Sequence, residues 1–321
     1  MQQVTAGSLT FSRLALGTMT FGDQVQRDDA RLLLDTALEH GVTMIDTADV
    51  YAQGRSEEIL GELLGRRRDD VVLASKVGIP RAGEQGRPLT ASAVRAGVQG
   101  SLRRLRTDHL DLYYLHQPDW GTPIEETLGA MTALVAEGLV REVGVSNFPS
   151  WQIAEVHALH GSSAGWPDVR VSQPQYNLLS RRLEDEYARF STRAGLVNIT
   201  YNPLAGGLLT GKYRGEGDVP EQGSRFSSAQ YRERYWHGEQ FRAVERLRGV
   251  AADAGTTLPG LSFAWLLGNP LVGAVLLGAS RLEHLVDNLR CAEAPDLSSE
   301  VRAACDDVWS ELSGAAPAYS R

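Results

Sequence analysis

The chain predicts an α/β fold: a (β/α)8 TIM barrel with a long loop before its seventh helix and an extra helix at the C-terminus. Three observations predict it. Short apolar runs alternate with amphipathic stretches along the 321 residues, the order of a parallel sheet covered by helices. Most runs are apolar at consecutive positions, as strands buried on both faces are. No linker or shift of composition interrupts the alternation, so residues 1–321 read as one domain.

Strand candidates fall at residues 14–17, 43–47, 71–76, 110–115, 141–145, 169–172, 197–201 and 273–277. Helix candidates lie between them. Residues 27–40 carry Leu32, Leu33, Ala37 and Leu38 at helical spacing and stop at Gly41. Residues 56–64 place Ile59, Leu60, Leu63 and Leu64 on one face. Residues 91–105, 124–136, 150–159, 182–193 and 242–254 follow, the last as the seventh helix; 282–289 and 298–312 finish the chain. The most apolar run, 261–279, is interrupted by Asn269-Pro270 and glycines. It reads as a buried helix, a turn and a buried strand rather than a membrane span. The Gly-, Pro- and charge-rich stretch 214–228 reads as a loop, either a flap over the barrel mouth or an insertion.

Composition excludes several functions. Hydrophobic residues make up 42% and charged residues 22%, enough to bury a sizeable core. A net charge of -8 argues against a nucleic-acid partner, which needs a basic face. The two cysteines, Cys291 and Cys305, lack metal-finger or redox spacing and are expected as free thiols in a cytoplasmic protein. The first residues have no signal-peptide pattern. No metal site is expected: His157 and His160 stand three apart without further ligands. The segment Gly206–Lys212 approaches a phosphate-binding loop, but Tyr213 stands where a Ser or Thr is required, and no GxGxxG follows the first strand.

In a barrel, reactive groups sit at the C-terminal ends of the strands. The second run ends in Asp46, with Tyr51 shortly after; the third ends in Lys76 and the fourth in His116. One acid, one phenol, one amine and one imidazole then face one mouth. A phenol with an ordinary pKa of roughly 10 is a weak acid, and an adjacent ammonium lowers that value. A carboxylate holds the lysine charged, and a neutral imidazole can orient a carbonyl oxygen. A lone strand-end Asp or Lys is more often structural. Four compatible groups on adjacent strands point to a barrel enzyme, with carbonyl reduction one option among several. A glycosidase would need two flanking carboxylates, and only Asp46 ends a strand convincingly.

The same residues carry a family resemblance. Asp46-Thr47-Ala48-Asp49-Val50-Tyr51, Lys76 and Leu115-His116-Gln117-Pro118-Asp119 resemble the catalytic motifs of the aldo-keto reductases. Gly144-Val145-Ser146-Asn147, Gln173 with Tyr176-Asn177, the run from Tyr201 to Tyr213, and Gly278-Ala279-Ser280 before Asn288 extend the match almost end to end. The run from His116 to Leu128, Arg225-Phe226, the stretch from Tyr231 to Trp236, and Pro317-Ala318-Tyr319-Ser320-Arg321 are similar to the aflatoxin aldehyde reductase branch.

The resemblance implies an NADPH-dependent reductase of aldehydes and ketones, with Tyr51 as proton donor supported by Asp46, Lys76 and His116. It implies that Ser146, Asn147 and Gln173 hold the nicotinamide carboxamide and that Tyr201 stacks on the ring. Asn202, Pro203, Leu204, Gly206, Leu208 and Lys212 would run along the pyrophosphate. Gly278, Ser280, Arg281, His284 and Asn288 would hold the adenosine 2′-phosphate end. The family commonly has Gln or Arg where His284 stands, and the branch commonly has Ser where Arg281 stands. Arg281 should favour NADPH over NADH by charge pairing. Arg234 and Arg321 match positions that pair with a substrate carboxylate in the branch. Met19, Phe21, Val50, Trp120 and Trp236 are expected to wall an apolar pocket. Alternatives are a ketoreductase for keto-sugar nucleotides and an NADPH-binding regulatory subunit. The expected partner is a small carbonyl compound, without nucleic acid or membrane; the branch also suggests a homodimer.

Overall fold

The computed structural model describes residues 1–80, 88–161 and 165–314. Strands β1 (Gln3–Ala6) and β2 (Leu9–Ser12) form an antiparallel hairpin. Eight further strands close into a parallel barrel: β3 (Leu14–Gly17), β4 (Met44–Asp46), β5 (Val72–Val77), β6 (Leu110–Leu115), β7 (Val140–Ser146), β8 (Val171–Gln173), β9 (Val197–Thr200) and β10 (Val272–Gly278), with β10 pairing back onto β3. Each predicted strand is present, with ends shifted by a residue or two.

Alternation along the strands separates two cores. Leu14, Leu16, Ile45, Leu73, Tyr113 and Leu115 point outward and pack under the helices. Ala15, Met44, Ala74, Leu112, Tyr114, Val171, Ile199 and Ala274 fill the interior. The hairpin adds Ala6, Leu9 and Phe11 to that inner cluster, so it plugs the end of the barrel opposite the strand C-termini. The hairpin was not among the predicted elements, although Val4, Ala6, Leu9 and Phe11 carry its apolar positions. Its turn uses Gly7 at φ 59°, and the Ser8 N–H donates to Glu142 of β7 at 2.7 Å.

The outer layer contains α1 (Arg27–Glu39), α2 (Arg55–Leu64), α3 (Ala91–Leu105), α4 (Ile124–Ala136), α5 (Ser150–His160), α6 (Tyr187–Ala194), α7 (Ala229–Tyr235), α8 (Gly238–Asp253), α9 (Leu258–Leu267), α10 (Leu282–Cys291) and α11 (Ser299–Ser313). Two expectations need correction. The helix predicted over 182–193 breaks: a short turn, Arg182–Glu184, precedes α6 because Glu186 leaves helical geometry at φ -149°. The seventh helix against the barrel is α9, which packs on β10. The predicted one, α8, lies farther out against α9 and the extra C-terminal helix α11. Apolar character explains the choice: nearly all of α9 is buried, whereas α8 buries only one stripe. Among the described residues no helix is long and apolar enough to cross a membrane, and both cysteines are free thiols.

Candidate active site

The barrel's alternation brings the acid and the amine together. Asp46 shares interior parity with Met44, and Lys76 shares it with Ala74, so both point into the barrel at the strand C-termini. Their side chains are fully buried and ion-paired. Burying either charge alone would cost several kcal/mol, roughly, which pairing and hydrogen bonds offset. The Lys76 ammonium also donates to the Thr47 carbonyl at 2.7 Å and to the Tyr51 Oη at 3.4 Å. Tyr51 opens the sharp turn Tyr51–Gly54, where Ala52, Gln53 and Gly54 all have positive φ, at 47°, 59° and 93°. Two non-glycine residues there store strain of about 1–2 kcal/mol each. His116 lies edge-on to Tyr51 with ring centroids 5.9 Å apart and is 7% exposed.

The electrostatics of this cluster have a definite direction. Burial acts to lower the Lys76 pKa, but Asp46 and Tyr51 carry it above its ordinary value. Burial raises the Tyr51 phenol; Lys76 pulls it down, Asp46 pushes it up, and the net shift is upward. The expected lowering by Lys76 is therefore real but outweighed, and Tyr51 keeps its proton throughout the neutral range. Burial, helped by the Lys76 charge, holds His116 well below the usual histidine range, so its imidazole is neutral.

The groups expected to hold a cofactor lie along one path beside this cluster. Ser146 donates to the Gln173 carbonyl at 2.9 Å, and the Asn147 amide donates to the His116 carbonyl at 2.9 Å. The Gln173 side-chain N–H donates to Asp46 at 2.8 Å, so its amide nitrogen already serves the acid. Tyr201 donates to Asn147 at 2.8 Å, and burial pushes its pKa up to about 12. Asn202, at φ 65°, turns inward: its side chain accepts from the Gly206 N–H at 2.6 Å and donates to Tyr235 at 2.9 Å. Pro203 and Leu208 are buried and Leu204 is half-buried, so that segment offers mainly backbone to a ligand. Gly207 and Gly278 leave open space where a Cβ would stand.

At the far end, Ser280 and His284 are 3.4 Å apart, and the buried Asn288 donates to the Gly278 carbonyl at 3.2 Å. Arg281 is exposed there. Burial lowers the His284 pKa, and the charges of Arg281 and Lys212 lower it further, which places three basic side chains in one field. Such a cluster fits a phosphate. Glu221, from the long loop, pairs with Lys212 at 2.7 Å; it was not predicted.

On the substrate side, the long loop and α7 close over the mouth. Arg225 donates to the Met19 sulfur at 2.9 Å, and its charge reaches Tyr51. Arg234 donates to Gln175 and reaches Tyr201. Both guanidinium groups lie 5.8 Å from the Tyr231 ring, which packs where a Cβ on Gly206 would clash. Arg225, Gln175, Tyr231 and Tyr235 are thus site or support residues that sequence reasoning did not single out. The signal for Arg225, Tyr231 and Tyr235 was that they stand in segments similar to the aflatoxin aldehyde reductase branch, and for Gln175 its place just after Gln173. Val50 is half-buried beside Tyr51, and Trp120 stands 71% exposed at the rim. Two expected wall residues lie elsewhere. Phe21 is fully buried in the outer core. Trp236 is held among Tyr213, Phe226 and Phe241 and donates to the Glu216 carbonyl at 3.0 Å, so it anchors the loop. Arg321 lies outside the described residues.

A closed parallel barrel with an ion-paired lysine, a phenol and a neutral imidazole at its C-terminal mouth defines a TIM-barrel enzyme with an acid–base site. The model of the Aldo/keto reductase family matches residues 13–310, and the chain belongs to that family. It is 37% identical to aflatoxin B1 aldehyde reductase member 2 of Rattus norvegicus, over 95% of this chain and 87% of the relative. It is 36% identical to a probable voltage-gated potassium channel subunit beta of Oryza sativa subsp. japonica, over 91% of each. The glycerol dehydrogenase of Gluconobacter oxydans superposes with a TM-score of 0.82 at 27% identity, covering 97% of this chain and 95% of that one. The chain is accordingly an oxidoreductase.

Proposed function

We propose that the protein reduces aldehydes and ketones to alcohols with NADPH, and that Tyr51 is the proton donor. The observation that carries this reading is the buried Lys76 ammonium held between the Asp46 carboxylate and the Tyr51 hydroxyl. NADPH supplies the hydride when bound. Ser146, Asn147, the Gln173 carbonyl-side amide oxygen and Tyr201 would hold its nicotinamide end, and Lys212, Ser280, Arg281 and His284 its phosphates. The neutral imidazole of His116 donates a hydrogen bond to the substrate oxygen and orients it. Tyr51 then gives that oxygen its proton as negative charge develops there. The adjacent Lys76 ammonium stabilises the tyrosinate left behind until solvent reprotonates it.

The direct test is NADPH oxidation with 4-nitrobenzaldehyde; a purified wild type that shows none removes the reading. A regulatory subunit that uses the same site only for binding would bind NADPH in that experiment without turning it over. We place the protein in the cytoplasm on the strength of its free thiols.

Two further outcomes follow from charges at either end of the site. Arg281→Ala is expected to raise the KM for NADPH by about tenfold, the worth of one charge-assisted contact, and to leave the KM for NADH unchanged. Equal changes for both cofactors would remove Arg281 from the 2′-phosphate. Arg234→Ala is expected to raise the KM for succinic semialdehyde by about tenfold and to alter that for 4-nitrobenzaldehyde little, because only the former has a carboxylate to pair. An unchanged KM for the semialdehyde would remove the carboxylate role.

A further inference from the structure

We propose that a groove beside the catalytic mouth is a second substrate position, which takes a hydroxylated ring of the pyranose kind at the far end of an elongated carbonyl substrate. This rests on the reductase reading and gives it a substrate class. The groove has a volume of about 700 Å³ and lies among the loops that follow β6, β7 and β8.

It is continuous with the reacting centre. Asn147 lines it while its amide holds the His116 carbonyl and its oxygen accepts from Tyr201. Gln175 lines it while accepting from Arg234. Trp120, four residues past His116, forms its rim.

Its lining selects the occupant. The Trp120 and Trp151 rings stack with centroids 6.1 Å apart and an interplanar angle of 25°, yet remain 71% and 58% exposed. Large indoles left in water beside a mouth form a surface that gains by being covered, and their faces suit a flat or chair-shaped ring. The polar lining includes the exposed Glu186, whose carboxylate accepts from Ser150 and keeps lone pairs free. Among the described residues no Lys, Arg or His lines the groove, and the Glu186 carboxylate repels an anionic ring. A purely apolar ring would strip water from the exposed Glu186 carboxylate without replacing it. A pyranose meets both demands, with C–H groups on the indoles and hydroxyl donors to the carboxylate.

The test compares 4-formylphenyl β-D-glucopyranoside with 4-methoxybenzaldehyde, which share the reacting end. The wild type should prefer the glucoside by about tenfold in kcat/KM, the worth of one ring stack. Trp151→Ala should abolish that preference and leave 4-methoxybenzaldehyde within about twofold; Glu186→Gln should weaken it. Trp151 is largely exposed, so its truncation opens no core. Equal kcat/KM for the two aldehydes in the wild type, or equal losses in the variant, overturns the proposal. So does a glucoside-specific loss that coincides with dissociation of a dimer in sedimentation, which would make a second copy the occupant. If the wild type reduces neither aldehyde, the reductase reading fails separately. Calorimetric binding of the glucoside, lost in Trp151→Ala, then still decides the groove.

Discussion

Tyr51→Phe is expected to lower kcat/KM for 4-nitrobenzaldehyde by about a thousandfold, the usual worth of a positioned general acid. The substitution removes one oxygen and leaves the ring against His116, so NADPH affinity, followed by quenching of protein fluorescence, should not change. Loss of affinity equal to the loss of rate would mean that the phenol shapes the site rather than donating a proton. The pH profile makes the test sharper. Reduction needs the protonated phenol, and burial with the Asp46 charge raises its pKa above 10. Activity should therefore be flat through neutral pH and fall only on the alkaline side. His116, already neutral, adds no limb near its ordinary value.

Lys76→Met is expected to lower kcat by about a hundredfold or more and to destabilise the fold by about 3–5 kcal/mol, because Asp46 is left buried without its partner. Lys76 acts more than Arg225 to pull the Tyr51 pKa down, so its loss should move the alkaline limb to higher pH. A limb that stays in place would remove Lys76 from the proton-donor pair. The stability effect has its own sign. The folded pKa of Lys76 is raised, so its contribution is complete below the unfolded value of about 10.5. It is lost only as pH rises through the folded value. Asp46→Asn combined with Lys76→Met should recover part of the melting temperature and none of the rate.

Much of the site was legible in the sequence because barrel chemistry follows the strands. An apolar run locates a strand, its last polar residue lies at the mouth, and residues of one parity share the interior. That reasoning brings Asp46, Lys76 and His116 to one place without a coordinate. It is weaker where the same residue type serves two environments. Phe21 and Trp236 look like pocket walls because aromatic side chains near a site often are, yet one fills the outer core and the other pins the loop. The helices α8 and α9 show the same limit: an apolar stripe states that something is covered and not what covers it.

The sequence by itself determined the alternating architecture, the strand ends and the chemical types that meet at the mouth. These depend on local periodicity and on short motifs, which the chain order contains in full. Only the tertiary structure decided how those types act on one another. The direction of the Tyr51 shift is a balance between burial, Lys76 and Asp46, and its sign depends on how deeply the cluster is buried. Arg225 meets Met19 across more than two hundred residues of chain, and Glu221 reaches Lys212 only because the loop folds back. Such contacts come from packing in three dimensions, for which neither periodicity nor spacing has a term.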